Sequence, residues 1–111
     1  MPTLRELEGA FIKRTDSGFR SDATFADCDG LMFLCPKCYA ENHGPVGTHM
    51  VICWKPHVPQ DVSPRPGRWS QEGTGLDDLR LVAGSSSIAL QGGCGWHGFV
   101  GMGGVPPGNA Q

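Results

Sequence analysis

At 111 residues the chain has the length of one domain with a modest core. Seventeen glycines and nine prolines favour turns, short strands and irregular loops over a helical bundle. The formal charge of -2 excludes a global basic field able to hold a polyanion, so a nucleic acid would have to meet a local patch.

No apolar run is long enough to span a bilayer, so no membrane association is expected. The charged stretch 1–10 has no apolar signal core. The expectation is a soluble protein kept in a reducing cytoplasm. There, closely spaced cysteines serve as metal ligands or redox groups more often than as structural disulfides. The odd cysteine count (Cys28, Cys35, Cys38, Cys53 and Cys94) also fits poorly with a complete disulfide framework.

In chain order, Thr3 to Gly9 has the pattern of one short helix, with Thr3 as cap and Glu6 completing a capping box. Leu4, Leu7 and Phe11 share one face and suit a clasp on the body of the domain. Phe11–Arg14 reads as a strand, Thr15–Gly18 as a turn, and Phe19–Phe25 as the return strand. After a turn at Ala26–Gly30, Leu31–Leu34 is apolar at every position and suits a strand buried on both faces.

His49–Lys55 alternates as a strand. Met50, Ile52 and Trp54 lie on one face, and His49, Val51 and Cys53 on the other. Pro56, Pro59, Pro64 and Pro66 exclude a helix or central strand over Lys55–Arg68, which reads as a stiff exposed loop. Further strands are expected at Trp69–Glu72, Leu79–Val82, Ser86–Leu90 and Phe99–Met102, with Ala83–Ser85 a turn. Residues 1–102 are expected to form a single zinc-binding β domain, and 103–111 a loose C-terminal tail.

The chemistry concentrates in two knuckles. Cys35-Pro36-Lys37-Cys38 follows the apolar strand, and Cys94-Gly95-Trp96-His97 follows Ser86–Leu90. Two donors two residues apart on a tight turn can face one ion, and two such turns complete a tetrahedron. Cys35, Cys38, Cys94 and His97 therefore form the expected ligand set for one structural zinc. Gly92, Gly93, Gly95 and Gly98 would let the backbone approach the metal closely. Such a cross-link closes a long loop, so removing the metal is expected to unfold the domain in part or whole.

A thioredoxin-like dithiol is the competing reading of Cys35–Cys38. It needs the first cysteine at a helix N-terminus. The residues after Cys38 run into His43-Gly44-Pro45 and are not expected to make a useful helix. Cys53 and His57 also have ligand-like spacing, but in a strand they would lie about 13 Å apart. Cys53 reads as a core residue and Cys28 as a turn cysteine. His43, His49 and His57 read as loop or surface residues, one of them a substitute ligand should His97 not bind.

No zinc-protease helix motif, nucleophile elbow or phosphate-binding loop is present in the sequence. Four protein ligands make a closed structural site, and Asp77 and Asp78 read as solvent-exposed turn residues. The expected class is thus a binding module rather than an enzyme. Lys55, Arg65, Arg68 and Trp69, in or beside the proline-rich loop, are the candidate contact residues. They suit either a protein partner or, as an alternative, single-stranded nucleic acid held by stacking and charge. A metal-dependent hydrolase is the further alternative.

The stretch Asp29–Cys38, then Gly67-Arg68-Trp69, Ser87-Ile88 and Cys94–Val100, resembles a family of small uncharacterised zinc-ribbon-like proteins common in bacteriophages and prophages. Relatives of that family occur in bacterial operons with ubiquitin-like components. The likeness covers roughly residues 29 to 102. It implies a zinc-binding β-rich domain of phage context, working in the bacterial host cytoplasm or associated with a virion, and no established activity. Many such relatives have a compact cysteine-rich first knuckle. Here it is a plain Cys-x-x-Cys, so the ligand set is less redundant. The expected fold is mainly β: a small zinc-ribbon-like domain with two metal knuckles and one short N-terminal helix.

Overall fold

Strand Gly30–Leu34, apolar at every position after Gly30, is the centre of the molecule. In the computed structural model the described residues are 3–59, 61–62, 68–82, 87–89 and 97–100, with the side chains of 82, 87–89 and 97–99 outside the description. The fold is mainly β. In chain order the elements are β1 (Ala10–Thr15), β2 (Gly18–Arg20), β3 (Gly30–Leu34), α1 (Pro36–Asn42), β4 (Met50–Trp54), β5 (Ser70–Glu72), β6 (Arg80–Val82), β7 (Ser87–Ala89) and β8 (His97–Phe99). One antiparallel sheet has the order β2-β1-β3-β4, and β5-β6 and β7-β8 are two separate antiparallel pairs.

The period of two along the strands sorts the main sheet into two faces. Leu31 pairs with Cys53 and Phe33 with Val51. These four residues join Leu4, Leu7, Leu79, Leu81 and Val100 in the larger core. Met32 pairs with Ile52, and these two pack on a smaller cluster of Ile12, Trp54 and Val58. β3 is thus covered on both faces, as its unbroken apolar run requires. Each fully buried Leu or Phe contributes about 1.5–3 kcal/mol of transfer free energy.

Gly30 fits where β3 crosses β4 closely. A Cβ there would lie 2.8 Å from the Cys53 carbonyl oxygen and 2.9 Å from the Trp54 ring.

The N-terminal segment forms the expected capping box. Thr3 N–H donates to Glu6 Oε1 at 3.0 Å, and Glu6 N–H to Thr3 Oγ1 at 3.1 Å. It does not go on to a helix. Leu7 N–H reaches the Thr3 carbonyl, but Gly9 N–H closes a turn on the Leu4 carbonyl at 2.7 Å. Glu8, at φ 57, turns the chain into β1. Leu4 and Leu7 are fully buried, and the Leu7 carbonyl accepts from Leu34 N–H, so this turn clasps the end of β3.

The helix appears elsewhere. Pro36–Asn42 is helical, which corrects the expectation that no helix follows the first knuckle. Pro36 stands at the first helical position, where its fixed φ is already helical and its missing N–H costs nothing. Tyr39 N–H bonds to the Cys35 carbonyl at 2.9 Å. His43 ends the helix in the left-handed region at φ 56 and ψ 36, just before Gly44-Pro45. The breakers in His43-Gly44-Pro45 therefore set where the helix stops and leave room for two turns before it.

The return strand after the first hairpin is shorter than expected: the strand covers only Gly18–Arg20, with Ala23 N–H still donating to the Phe11 carbonyl of β1 at 3.3 Å. The last described strand begins earlier than the expected Phe99, at His97, and runs to Phe99; residues 101–102 of the expected strand lie outside the described residues. The turn expected at 83–85 and the tail at 103–111 lie outside the described residues. Among the described residues, no helix is long and apolar enough to cross a membrane.

Candidate metal centre

Two short segments converge at the end of the β3–β4 hairpin. The ladder pairs Leu34 with Met50, and one step further the Cys35 N–H donates to the His49 carbonyl at 2.9 Å. Cys35 continues the face carrying Leu31 and Phe33, and His49 the face carrying Val51 and Cys53. Residues opposed in this way have Cβ atoms roughly 4.5–5.5 Å apart. Cys38, one helical turn beyond Cys35, completes the group.

The Cys35, Cys38 and His49 donor atoms all lie within 4.8 Å of one another. A zinc ion with ligands at 2.0–2.3 Å places them roughly 3.3–3.8 Å apart. Two sulfurs and an imidazole nitrogen at this spacing need only a small side-chain adjustment to close on an ion, so the donor set fits a soft or borderline metal.

The connector from α1 to β4 holds His49 in place. Gly44 N–H caps onto the Tyr39 carbonyl at 3.1 Å. The Thr48 hydroxyl donates to the Gly44 carbonyl at 2.8 Å and accepts from Asn42 Nδ2 at 3.1 Å. Thr48 N–H closes a turn on the Pro45 carbonyl at 3.0 Å. His49 Nδ1 lies 3.4 Å from the Met50 carbonyl. In the tautomer that uses this contact, Nδ1–H donates and Nε2 keeps its lone pair, the arrangement second-shell carbonyls give to metal-binding histidines. The group runs from buried to open: Cys35 is fully buried, Cys38 half-buried and His49 exposed.

Of the expected ligands, Cys35 and Cys38 are brought together. His97 has its backbone in β8, paired with Ala89, and its side chain lies outside the description, as does Cys94. His49 is the member that spacing did not single out. Its signal was the antiparallel pairing of Leu31–Leu34 with the strand after His49, which sets Cys35 opposite it.

The candidate contact residues are placed as follows. Lys55 Nζ donates to the Phe25 carbonyl at 3.2 Å and sits 5.5 Å from that ring's centroid. Arg68 binds the loop from within: Nε donates to the Val58 carbonyl at 2.9 Å, and Nη2 to the Pro59 and Val62 carbonyls at 2.6 and 2.9 Å. Trp69 packs half-buried on the larger core, and its N–H donates to the Trp54 carbonyl. Arg65 lies outside the described residues.

The other described cysteines, Cys28 and Cys53, are not members of the group. Burial pushes the Cys28 thiol up, with nearby Lys55 opposing; its sulfur donates to the Phe25 carbonyl at 3.3 Å. Cys53 is fully buried among apolar neighbours, which drives its thiol far up. Such thiols are inert core residues.

A second polar cluster ties the smaller core together. The buried Asp29 carboxylate accepts from Arg14 N–H at 2.8 Å, and the His57 ring Nε2 lies 2.7 Å from its other oxygen. Burial pushes the Asp29 carboxyl up, but the Arg14 N–H and the His57 ring outweigh it and hold it below the usual range.

Fold and site together define a small mainly β domain carrying a Cys/Cys/His group able to hold a metal ion. Comparison of the chain with protein-family models, with curated proteins and with solved structures gives no match.

Proposed function

We propose that the chain is a phage-encoded interaction module in which a structural zinc, held by Cys35, Cys38 and His49, fixes the end of the β3–β4 hairpin and the helix beside it. The observation that carries this reading is the convergence of those three donors within 4.8 Å. Its phage context rests on the sequence resemblance alone. Cys94, which lies outside the described residues, is assigned as the fourth ligand on the spacing of the second knuckle alone.

Contact with a protein is favoured over contact with nucleic acid by what surrounds the site. Val46 and Met50 are exposed apolar residues on either side of His49 in the chain. Lys55 and Arg68, which a phosphate surface would use, already donate to main-chain carbonyls. Affinity capture from bacterial cells with the wild-type chain and with Val46→Asp/Met50→Asp tests the reading. A partner held by the first and lost by the second, at unchanged zinc content, is expected. Salt-dependent binding to single-stranded DNA or RNA with no protein partner would contradict it.

A further inference from the structure

Cys35 and Cys38 carry thiols whose sulfurs lie within 4.8 Å. Cys35 is the N-cap residue of α1 and Cys38 lies in its first turn. Two cysteines one helical turn apart are within reach of a disulfide. They differ in access: Cys35 is 0% exposed, whereas Cys38 is half-buried and stands on the open side with His49.

We propose that this pair is an oxidation switch for the metal centre, in which a peroxide attacks Cys38 and Cys35 is the resolving thiol. The proposal rests on the reading that the group holds a metal. The Cys38 thiolate attacks the peroxide; an S–O bond forms, the O–O bond breaks and hydroxide leaves, giving a sulfenic acid. The Cys35 thiolate then attacks the Cys38 sulfur, forming the S–S bond and expelling the sulfenic oxygen as hydroxide. With protons taken up, two thiols lose two electrons and one hydrogen peroxide becomes two waters.

The disulfide has no thiolate left for the ion. Of the proposed ligands His49 and Cys94 remain, two donors that no longer complete a tetrahedral site, and the metal departs. Burial sets the order of attack. In a thioredoxin-like motif the first cysteine is the accessible one, but here the first cysteine is sealed in the core.

The test treats the zinc-loaded full chain with hydrogen peroxide. Zinc release is followed with a chromogenic chelator, and the cysteines by peptide mass spectrometry with dimedone as the sulfenic-acid trap. The expected result is a Cys35–Cys38 disulfide that forms in step with zinc release and is reversed by dithiothreitol. Brief exposure should trap Cys38 and not Cys35 in the wild-type chain, and Cys38 should accumulate as the trapped adduct in Cys35→Ser. Trapping of Cys35 ahead of Cys38 would overturn the order of attack. Zinc-loaded protein that keeps both its ion and its thiols under peroxide would overturn the switch. A chain that takes up no zinc before oxidant is added would overturn the metal reading itself, and the switch with it.

Discussion

The Cys35 N–H donates to the His49 carbonyl at 2.9 Å, one step beyond the last ladder pair of β3 and β4. This bond sets a cysteine and a histidine, fourteen positions apart in sequence, opposite each other at a hairpin end. The α1 turn then brings Cys38 alongside. His49→Ala is expected to weaken zinc binding at least tenfold, a scale of about the size seen when a metal site loses a supporting partner. His43→Ala and His57→Ala should leave it unchanged. Competition titration against a zinc chelator reads all three variants.

Removing the metal should loosen the hairpin end and α1 first. A helix of seven residues has little stability of its own and depends on its ends being held. The expected outcome is a lower melting temperature in chelator, restored by added zinc, with amide exchange rising most over 35–49. An unchanged melt after confirmed metal removal would contradict this.

Asp29 gives a pH dependence of known sign. Its carboxyl is held below its unfolded value of about 3.9. Between the folded and unfolded values the unfolded chain binds more protons, so stability from this group rises with pH. It is fully present above the unfolded value and is lost as pH falls through the folded one. The gap in melting temperature between wild type and Asp29→Asn should therefore narrow as pH is lowered from neutral into that range.

Arg68 is expected to act as a structural residue of the proline-rich loop. Its guanidinium donates to the carbonyls of Val58, Pro59 and Val62. Arg68→Ala should cost about 1–3 kcal/mol in denaturant unfolding, with Arg68→Lys recovering only part because an ammonium cannot span the same carbonyls.

Gly30→Ala should cost a similar amount, about 1–3 kcal/mol, because the added methyl meets backbone oxygen and the Trp54 ring inside a packed sheet. Denaturant unfolding reads this too; no change would mean that β3 and β4 approach less closely.

The strands were legible wherever local pattern and burial coincide. Leu31–Leu34 is apolar throughout because both sheet faces are covered, and Met50–Trp54 is apolar for the same reason, with Val51 and Cys53 in the larger core and Ile52 and Trp54 on the smaller one. The capping box of Thr3 and Glu6 was also readable, although two turns of chain did not become helix once Gly9 closed back on Leu4. The helix at Pro36–Asn42 was missed because the breakers in His43-Gly44-Pro45 were weighed more heavily than Pro36, whose place is a helix start. His49 was read only as one of three substitute ligands, with nothing to choose it over His43 and His57, because ligand spacing is a local signal and strand register is not. The same holds for His57, which meets Asp29 across a separation that no motif encodes.

The most direct test of the metal centre is elemental analysis of the full chain purified without chelator, paired with the same measurement on Cys38→Ser and His49→Ala. Zinc at one equivalent per chain, reduced or lost in both variants and kept in Cys28→Ser, is the expected result. Zinc-free protein, or zinc retained in full by both variants, would contradict the assignment of Cys35, Cys38 and His49 as its ligands.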